Sequence, residues 1–517
     1  MIQPCSSIFR PYFLMLVVLA VAPLGYGQTA LADIGLEYGP YPVGFRHSVL
    51  SDSSRTYHKI YDFRTESIAR PIPVSVWFPA RKLSTRAESL KVLDYFQILK
   101  QEEEWENLPD EQLLNWFYYQ NPPANLVLLL EKTQAFSGRE MAEGSFPVIV
   151  YAPSYQASSI ENFALCEYLA SHGYLVIASP SRGTQTRWFS PKSEMEMETQ
   201  ARDLEFLIGQ ALRYPGADGA RIAAMGFSFG GLSGVVAQMR NDRLKAFVSL
   251  DGTERYQEDL LQKSPFFDYD KLKVPYIHMA QKEIPEVVLQ SDNIDPELNT
   301  KFTVYDSLSK SEAYKLKFHD LTHSYFSTLG VLFQQRDARQ DKSDAEIMES
   351  YRWVARYSKM FLDAYLKKDA AAKDFIQNAP EENGVAAGLI SHTFKLPDAV
   401  PMSFEGFNEL ASRRDYENLD EIYQTALEKY PGLVIPENAL NTLGLQLVFD
   451  PEKSEQGIKV LEFATARYPE SANLFDSLAE AYLYTGNSEK ALKNFKKSLE
   501  LYPQNSNAIR RIEELGG

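Results

Sequence analysis

The chain is poor in cysteine, with two in 517 residues, and this excludes a disulfide-stapled scaffold. One of the two, Cys5, lies in a segment expected to be cleaved off. Cys166 is then left without a partner, so no intrachain disulfide is available. Histidine is also scarce, at seven. No HExxH, no paired cysteines and no carboxylate-rich loop offer a metal ligand set. No glycine-rich phosphate loop follows a strand, so no cofactor is called for. Lys and Arg never cluster against the net charge of −16. A polyanion would be repelled over most of such a surface, which argues against nucleic acid and anionic membrane as partners. Beyond the first thirty residues no apolar run is long enough to span a bilayer, so the mature chain is expected to have no membrane span.

That N-terminal stretch looks like a secretory signal. Arg10 is a small positive n-region, Tyr12 to Ala22 (YFLMLVVLAVA) an h-region too short to span, and Ala30-Leu31-Ala32 or Gly25-Tyr26-Gly27 a cleavage site. Residues 1–32 are therefore read as a signal peptide, and the mature protein as periplasmic or secreted. Cys5 precedes the apolar run, so it is not placed as a lipoprotein cysteine.

What remains is too long for one hydrophobic core, and two folded domains are expected. From Pro147 onward, short apolar strands alternate with amphipathic helices. PVIVYA, YLVIAS, RIAAM, LKAFVSL, the strand from Val274 to Ala280 and YKLKF are the strands. Helices are expected from Ser159 to His172, Glu196 to Leu212, Gly230 to Met239 and Asp344 to Leu366. Such alternation implies a parallel sheet covered on both faces, hence an α/β domain over residues 33–395. IPVSVWFP, upstream, is a further strand. Residues 88–140 interrupt this texture as a helical insertion around Pro122-Pro123. Its Trp116-Phe117-Tyr118-Tyr119 and Leu126 to Leu130 suit either a lid over an acyl pocket or a helical pair packed on the side. Lys367 to Pro401 reads as a linker.

The last hundred residues, 402–517, have another period. Ala472 to Pro503 fits the tetratricopeptide pattern. Phe475, Leu478, Ala479 and Tyr482 lie on a first helix, Gly486-Asn487 at the turn, Ala491, Phe495 and Ser498 on a second, and Pro503 closes the unit. LEKYP, ATARYP and LELYP repeat the closing phrase at Pro431, Pro469 and Pro503, and the final helix caps the stack. Grooves of such repeats commonly hold peptide segments, so a protein or peptide partner is expected there.

Chemistry concentrates at Gly226-Phe227-Ser228-Phe229-Gly230-Gly231. GxSxG alone is a weak signal, but here a strand runs directly into it and an apolar helix directly out. That is the strand-turn-helix of a nucleophile elbow, with Gly226 and Gly230 where strand and helix approach most closely. Ser228 is the candidate nucleophile and needs a base, usually a neutral imidazole. The order Ser, acid, His leaves His278, His319, His323 and His392. His278 falls inside a buried strand and His392 in the linker. In HDLTHSYFS, His323 is preferred over His319, because a loop position past the strand end reaches back to Ser228. For the acid, Asp251 ends the strand after the nucleophile helix and Glu283 follows the next strand, and both positions suit.

The segments RPIPVSVWFPA, FPVIVYAPSYQASSIENFALCEYLASHGYLVIASPSRGTQ, GFSFGG, SLDG and HSYF together resemble the platelet-activating-factor acetylhydrolase and dienelactone-hydrolase-like families of α/β-hydrolases. The likeness covers about residues 36–365 and implies an α/β-hydrolase fold. In the acetylhydrolase group the acid follows the strand directly after the nucleophile, which favours Asp251. The resemblance also implies an oxyanion hole formed by the N–H groups of Phe229 and Tyr155. Relatives carry His-Gly where this chain has Pro153-Ser154. The implied reaction is metal-independent hydrolysis of a carboxylic ester, a small-molecule or lipid acyl ester. The alternative is an inactive hydrolase-fold scaffold that binds protein partners through its repeats.

Overall fold

The computed structural model describes residues 30–59, 66–82, 88–117, 119–291, 294–334, 339–398 and 402–516. The apolar segment read as a signal, Cys5 and Tyr118 lie outside them. The chain divides into two compact units, Met1–Pro397 and Asp398–Gly517.

The first unit is built on one ten-stranded sheet. Its strands are β1 (Val43–Tyr57), β2 (Ile68–Pro79), β3 (Ala135–Phe136), β4 (Phe146–Ala152), β5 (Leu175–Ala178), β6 (Ala217–Phe227), β7 (Leu244–Leu250), β8 (Tyr276–Ala280), β9 (Ala313–Phe318) and β10 (Ile390–Lys395). From edge to edge they run β10-β9-β8-β7-β6-β4-β5-β2-β1-β3. β4 to β9 are parallel to one another, whereas β2 is antiparallel to both β1 and β5. Every residue of β4, β5 and β8 is buried, which is why these strands read as unbroken apolar runs instead of alternating.

Helices cover both faces. The insertion contributes α1 (Val92–Glu102), α2 (Leu113–Trp116) and α3 (Pro123–Leu128). Then come α4 (Phe163–Ser171), α5 (Ser193–Ala211), α6 (Phe229–Arg240), the short α7 (Glu258–Leu261), α8 (Glu286–Ser291), α9 (Thr303–Ser307) and α10 (Thr328–Phe333), and the long α11 (Asp344–Leu366) and α12 (Ala370–Gln377). One core packs α1, α4 and α11 against the sheet. The other packs α5 and α6 against its opposite face. α11 starts cleanly because Ser343 and Glu346 cap its first turn reciprocally. The strand order, the antiparallel β2 and the helices on both faces make this an α/β-hydrolase fold. The order in which successive strands are added reverses at β4, with β5 on one side of it and β6 on the other, so the carboxyl ends of β4 and β6 frame the crevice where open α/β sheets hold ligands.

The expected linker is not one. Residues 370–377 form α12, with Asp369 capping it and Ala372 and Ile376 buried. Residues 390–395 form β10, antiparallel to β9. SHTFK is polar because an edge strand has one solvated face, and this polarity disguised it as loop. His392 thus lies in a strand, stacked on Tyr314.

The second unit is all helix: α13 (Phe404–Ser412), α14 (Leu419–Lys429), α15 (Glu437–Val448), α16 (Ser454–Arg467), α17 (Ala472–Tyr484), α18 (Ser488–Leu501) and α19 (Ser506–Glu514). α14, α16 and α18 each end at a Tyr that precedes a Pro. The residue before proline is driven out of the helical region, so the recurring Tyr-Pro stops the helix at the same phase each time. α15 and α16 cross closely: a Cβ at Gly457 would lie 2.4 Å from the Val448 nitrogen. Phe495, Ala491 and Ser498 of α18 are buried, as are Leu478, Ala479 and Tyr482 of α17. Phe475 is only half-buried.

Candidate active site

Ser228 stands between β6 and α6 with φ +54° and ψ −120°, a backbone state that side chains rarely adopt and that costs on the order of 1–3 kcal/mol. The turn is tight enough to demand its glycines. A Cβ on Gly226 would lie 2.2 Å from the Gly230 oxygen, and one on Gly230 would lie 2.1 Å from the Ala152 oxygen. Ser228 N–H donates to the Leu250 oxygen at 3.1 Å, and its carbonyl accepts from Thr253 at 2.9 Å. The elbow and the turn after β7 therefore fix each other.

That turn carries Asp251, fully buried and at φ +41°. His323 opens a single helical turn, His323–Phe326, after β9. Its Nε2 lies 2.8 Å from Ser228 Oγ and its Nδ1 2.6 Å from Asp251 Oδ2. A carboxylate only accepts, so Nδ1 carries the proton and Nε2 is left to receive the serine hydroxyl's. Burial opposes the charge on Asp251. The hydrogen bond and charge of His323, the charge of Arg255 and the Gln281 N–H outweigh it and hold the carboxyl below its usual range.

The other candidates lie elsewhere. His319 bonds to Ser391 Oγ at 2.7 Å, and Glu283 pairs with Lys317 at 3.2 Å. His278 is buried in β8, 3.0 Å from Glu254. Glu254 also accepts from Tyr276 at 2.8 Å and from Ser249, a network that packs beneath the elbow and the Asp251 turn. Gln281 was missed in the sequence although it directly follows β8, a position that could have flagged it. Its side chain accepts from the His323 N–H at 3.1 Å, and its own N–H donates to Asp251 Oδ1 at 2.9 Å. It thereby ties acid and base loops together.

Phe229 is the first residue of α6, where helical N–H groups have no intrahelical acceptor. Tyr155 follows β4 across the elbow, its ring 5.9 Å from that of Phe229. Neither N–H donates to an acceptor among the described residues.

Two cavities adjoin these loops. One, of about 740 Å³, is lined by the 154–158 loop, by Glu161 and by aromatic residues of the insertion, among them Trp105, Trp116, Phe117 and Tyr119. The other, of about 610 Å³, is lined by Tyr256, Gln281, Ile284 and the His323 turn. Among the described residues no group of three His, Cys, Asp or Glu is arranged to hold a metal ion, and no helix is long and apolar enough to cross a membrane. Cys166 is buried in α4, and burial pushes its thiol well above its usual value.

No family model and no curated protein matches this chain. Among solved structures, it is similar to a ferulic acid esterase from Streptomyces cinnamoneus, at 18% identity and a TM-score of 0.49, over 70% of this chain and 98% of that one. A likeness of this depth leaves the reaction to be argued from the site itself.

Proposed function

We propose that this protein is an exported serine hydrolase of carboxylic esters, with Ser228 as nucleophile, His323 as general base and acid, and Asp251 as the residue that orients the imidazole. The observation that carries this is the continuous chain Ser228 Oγ–His323 Nε2 (2.8 Å) and His323 Nδ1–Asp251 Oδ2 (2.6 Å), set on a strained elbow at the carboxyl edge of the sheet. Ser228 Oγ attacks the ester carbonyl as His323 Nε2 takes its proton. Asp251 stabilises the imidazolium. The N–H groups of Phe229 and Tyr155 receive the developing oxyanion. His323 then protonates the departing alcohol, water adds to the acyl-enzyme with the imidazole again as base, and the acid leaves. Nucleophile, base, acid and oxyanion donors all come from the chain, so the scheme calls for no metal.

The aromatic cavity built by residues 88–140 takes the acyl group, and the cavity beside His323 takes the alcohol. The insertion acts as an acyl-pocket wall in this scheme. Esters are favoured over peptides by the family resemblance. The paired helices and the Tyr-Pro stops of the second unit support tetratricopeptide repeats that hold a protein or peptide segment. Export to the periplasm or beyond rests on the N-terminal sequence, and N-terminal sequencing of the mature protein tests it.

Labelling with a fluorophosphonate probe tests the reaction. The parent is expected to label and Ser228→Ala not to. A folded parent that stays unlabelled would sink the hydrolase and favour a binding scaffold.

A further inference from the structure

The loop that carries the Tyr155 N–H has no glycine at positions 153 and 154, where Pro and Ser stand. Pro153 has no N–H, and Ser154 carries a side chain that a glycine would not, so another device has to hold the peptide between Ser154 and Tyr155. The structure supplies one in Glu161. Its Oε2 accepts the Ser154 N–H at 2.9 Å and its Oε1 accepts the Ser154 hydroxyl at 2.5 Å. The rest of the loop is closed around that anchor. Ala157 N–H donates to the Ser154 carbonyl at 3.1 Å, Gln156 sits at φ +52°, and Gln200 Nε2 donates to the Pro153 carbonyl at 2.9 Å.

Glu161 is also tied to the segment that follows the base. Its own carbonyl accepts the Leu329 N–H at 3.1 Å, in the helix that follows the His323 turn. Its neighbour Asn162 clamps the same segment, donating to the Phe326 carbonyl at 2.9 Å and accepting from Thr328 N–H at 2.9 Å. The two loops that bring oxyanion donor and base to Ser228 thus converge on residues 161 and 162.

We propose that Glu161 is a positioning residue that holds the Ser154–Tyr155 peptide so that the Tyr155 N–H faces the oxyanion formed at Ser228, an inference that rests on the hydrolase reading above. The carboxyl works in either protonation state. Ionised, it accepts both bonds from Ser154. Protonated, it still accepts the N–H with one oxygen and donates to the Ser154 hydroxyl with the other. Burial, opposed by the Ser154 bonds and by the charge of His323, pushes it up to about 7, so both states are populated at neutrality.

A glutamine reproduces the protonated pattern, accepting through its carbonyl and donating through its amide. Glu161→Gln is therefore expected to keep kcat for a short-chain ester within about twofold of the parent. Glu161→Met removes both anchors, and Glu161→Asp draws the carboxyl back by a methylene. Each is expected to lower kcat about tenfold or more with little change in KM, since an oxyanion donor acts in the transition state. The affinity of a boronic acid that binds Ser228 as a tetrahedral adduct should fall in step. Should Glu161→Met fail to fold, the comparison of Asp with Gln still decides. Parent-like kcat in the Met or Asp variant, or a Gln variant as impaired as they are, would overturn the assignment. The parent's fluorophosphonate labelling is read first. If Ser228 does not label, the hydrolase reading has failed; if it labels and the Glu161 variants are unimpaired, only this inference has.

Discussion

Ser228 is a buried residue held in a backbone state at φ +54°. Both are tolerable only because glycines let strand and helix meet. Gly230→Ala is therefore expected to destabilise the protein by a few kcal/mol, on the order of 3, because the added methyl would meet backbone that cannot yield. Chemical denaturation of the variant measures this. At the neighbouring acid the expectation is kinetic. Asp251→Asn leaves the shape intact but removes the acceptor that fixes the imidazole tautomer, and kcat should fall by about 10³- to 10⁴-fold. The matched change Glu283→Gln should leave kcat near the parent's, since Glu283 is exposed and pairs with Lys317. The reverse outcome would move the acid to Glu283. Ser228, Asp251 and His323 were legible because each sits at the end of a strand or just beyond it, where chain order and sheet topology restrict the choice. Gln281, despite its place directly after β8, and Glu161 went unread, because neither residue type belongs to a catalytic pattern. Their role depends on which loops meet, and a linear sequence does not display that.

Among the elements, the buried parallel strands were the most legible, since continuous apolar runs such as FPVIVYA admit few other readings. β10 failed for the opposite reason: half its side chains face water, and its pairing partner β9 lies 72 residues upstream at the His319–Ser391 contact. The insertion left lid and side packing both open in the sequence. In the structure Phe96, Leu99 and Leu113 join the core, and Trp105 and Trp116 line the cavity. In the helical unit, Phe495 is fully buried against Leu478 and its neighbours. Phe495→Ala should cost about 3–5 kcal/mol, read as a lower melting temperature of the helical transition. An unchanged melt would show that this helix pair contributes little to its stability.

For the whole molecule, acidity and burial pull stability in two directions. Burial, offset only in part by hydrogen bonds, pushes Glu161 and Glu167 up to about 7 from 4.5. The folded state therefore holds these protons more tightly than the unfolded chain. Their contribution is full below about pH 4.5 and is lost as pH rises to 7. His47 behaves in the opposite sense. Burial and the charge of Arg182 lower it from 6.5 to about 4, so its contribution is present above 6.5 and fades as pH falls to 4. Replacing Glu167 by Gln should flatten the fall in stability between pH 4.5 and 7, which denaturant titrations at a series of pH values would detect. A slope identical to the parent's would show that Glu167 does not titrate in that window.

The position of β10 also bears on how this chain is made. A polypeptide emerges from its amino end, and β9, the strand that leads to His323, has no outer neighbour until residues 390–395 appear. Throughout synthesis of the long α11 that edge remains open to pairing with any other extended chain. Closure waits for a strand only two residues short of the boundary at Pro397. A chain arrested before Ile390, in synthesis or in passage through an export channel, would leave that edge unpaired and would be the aggregation-prone one.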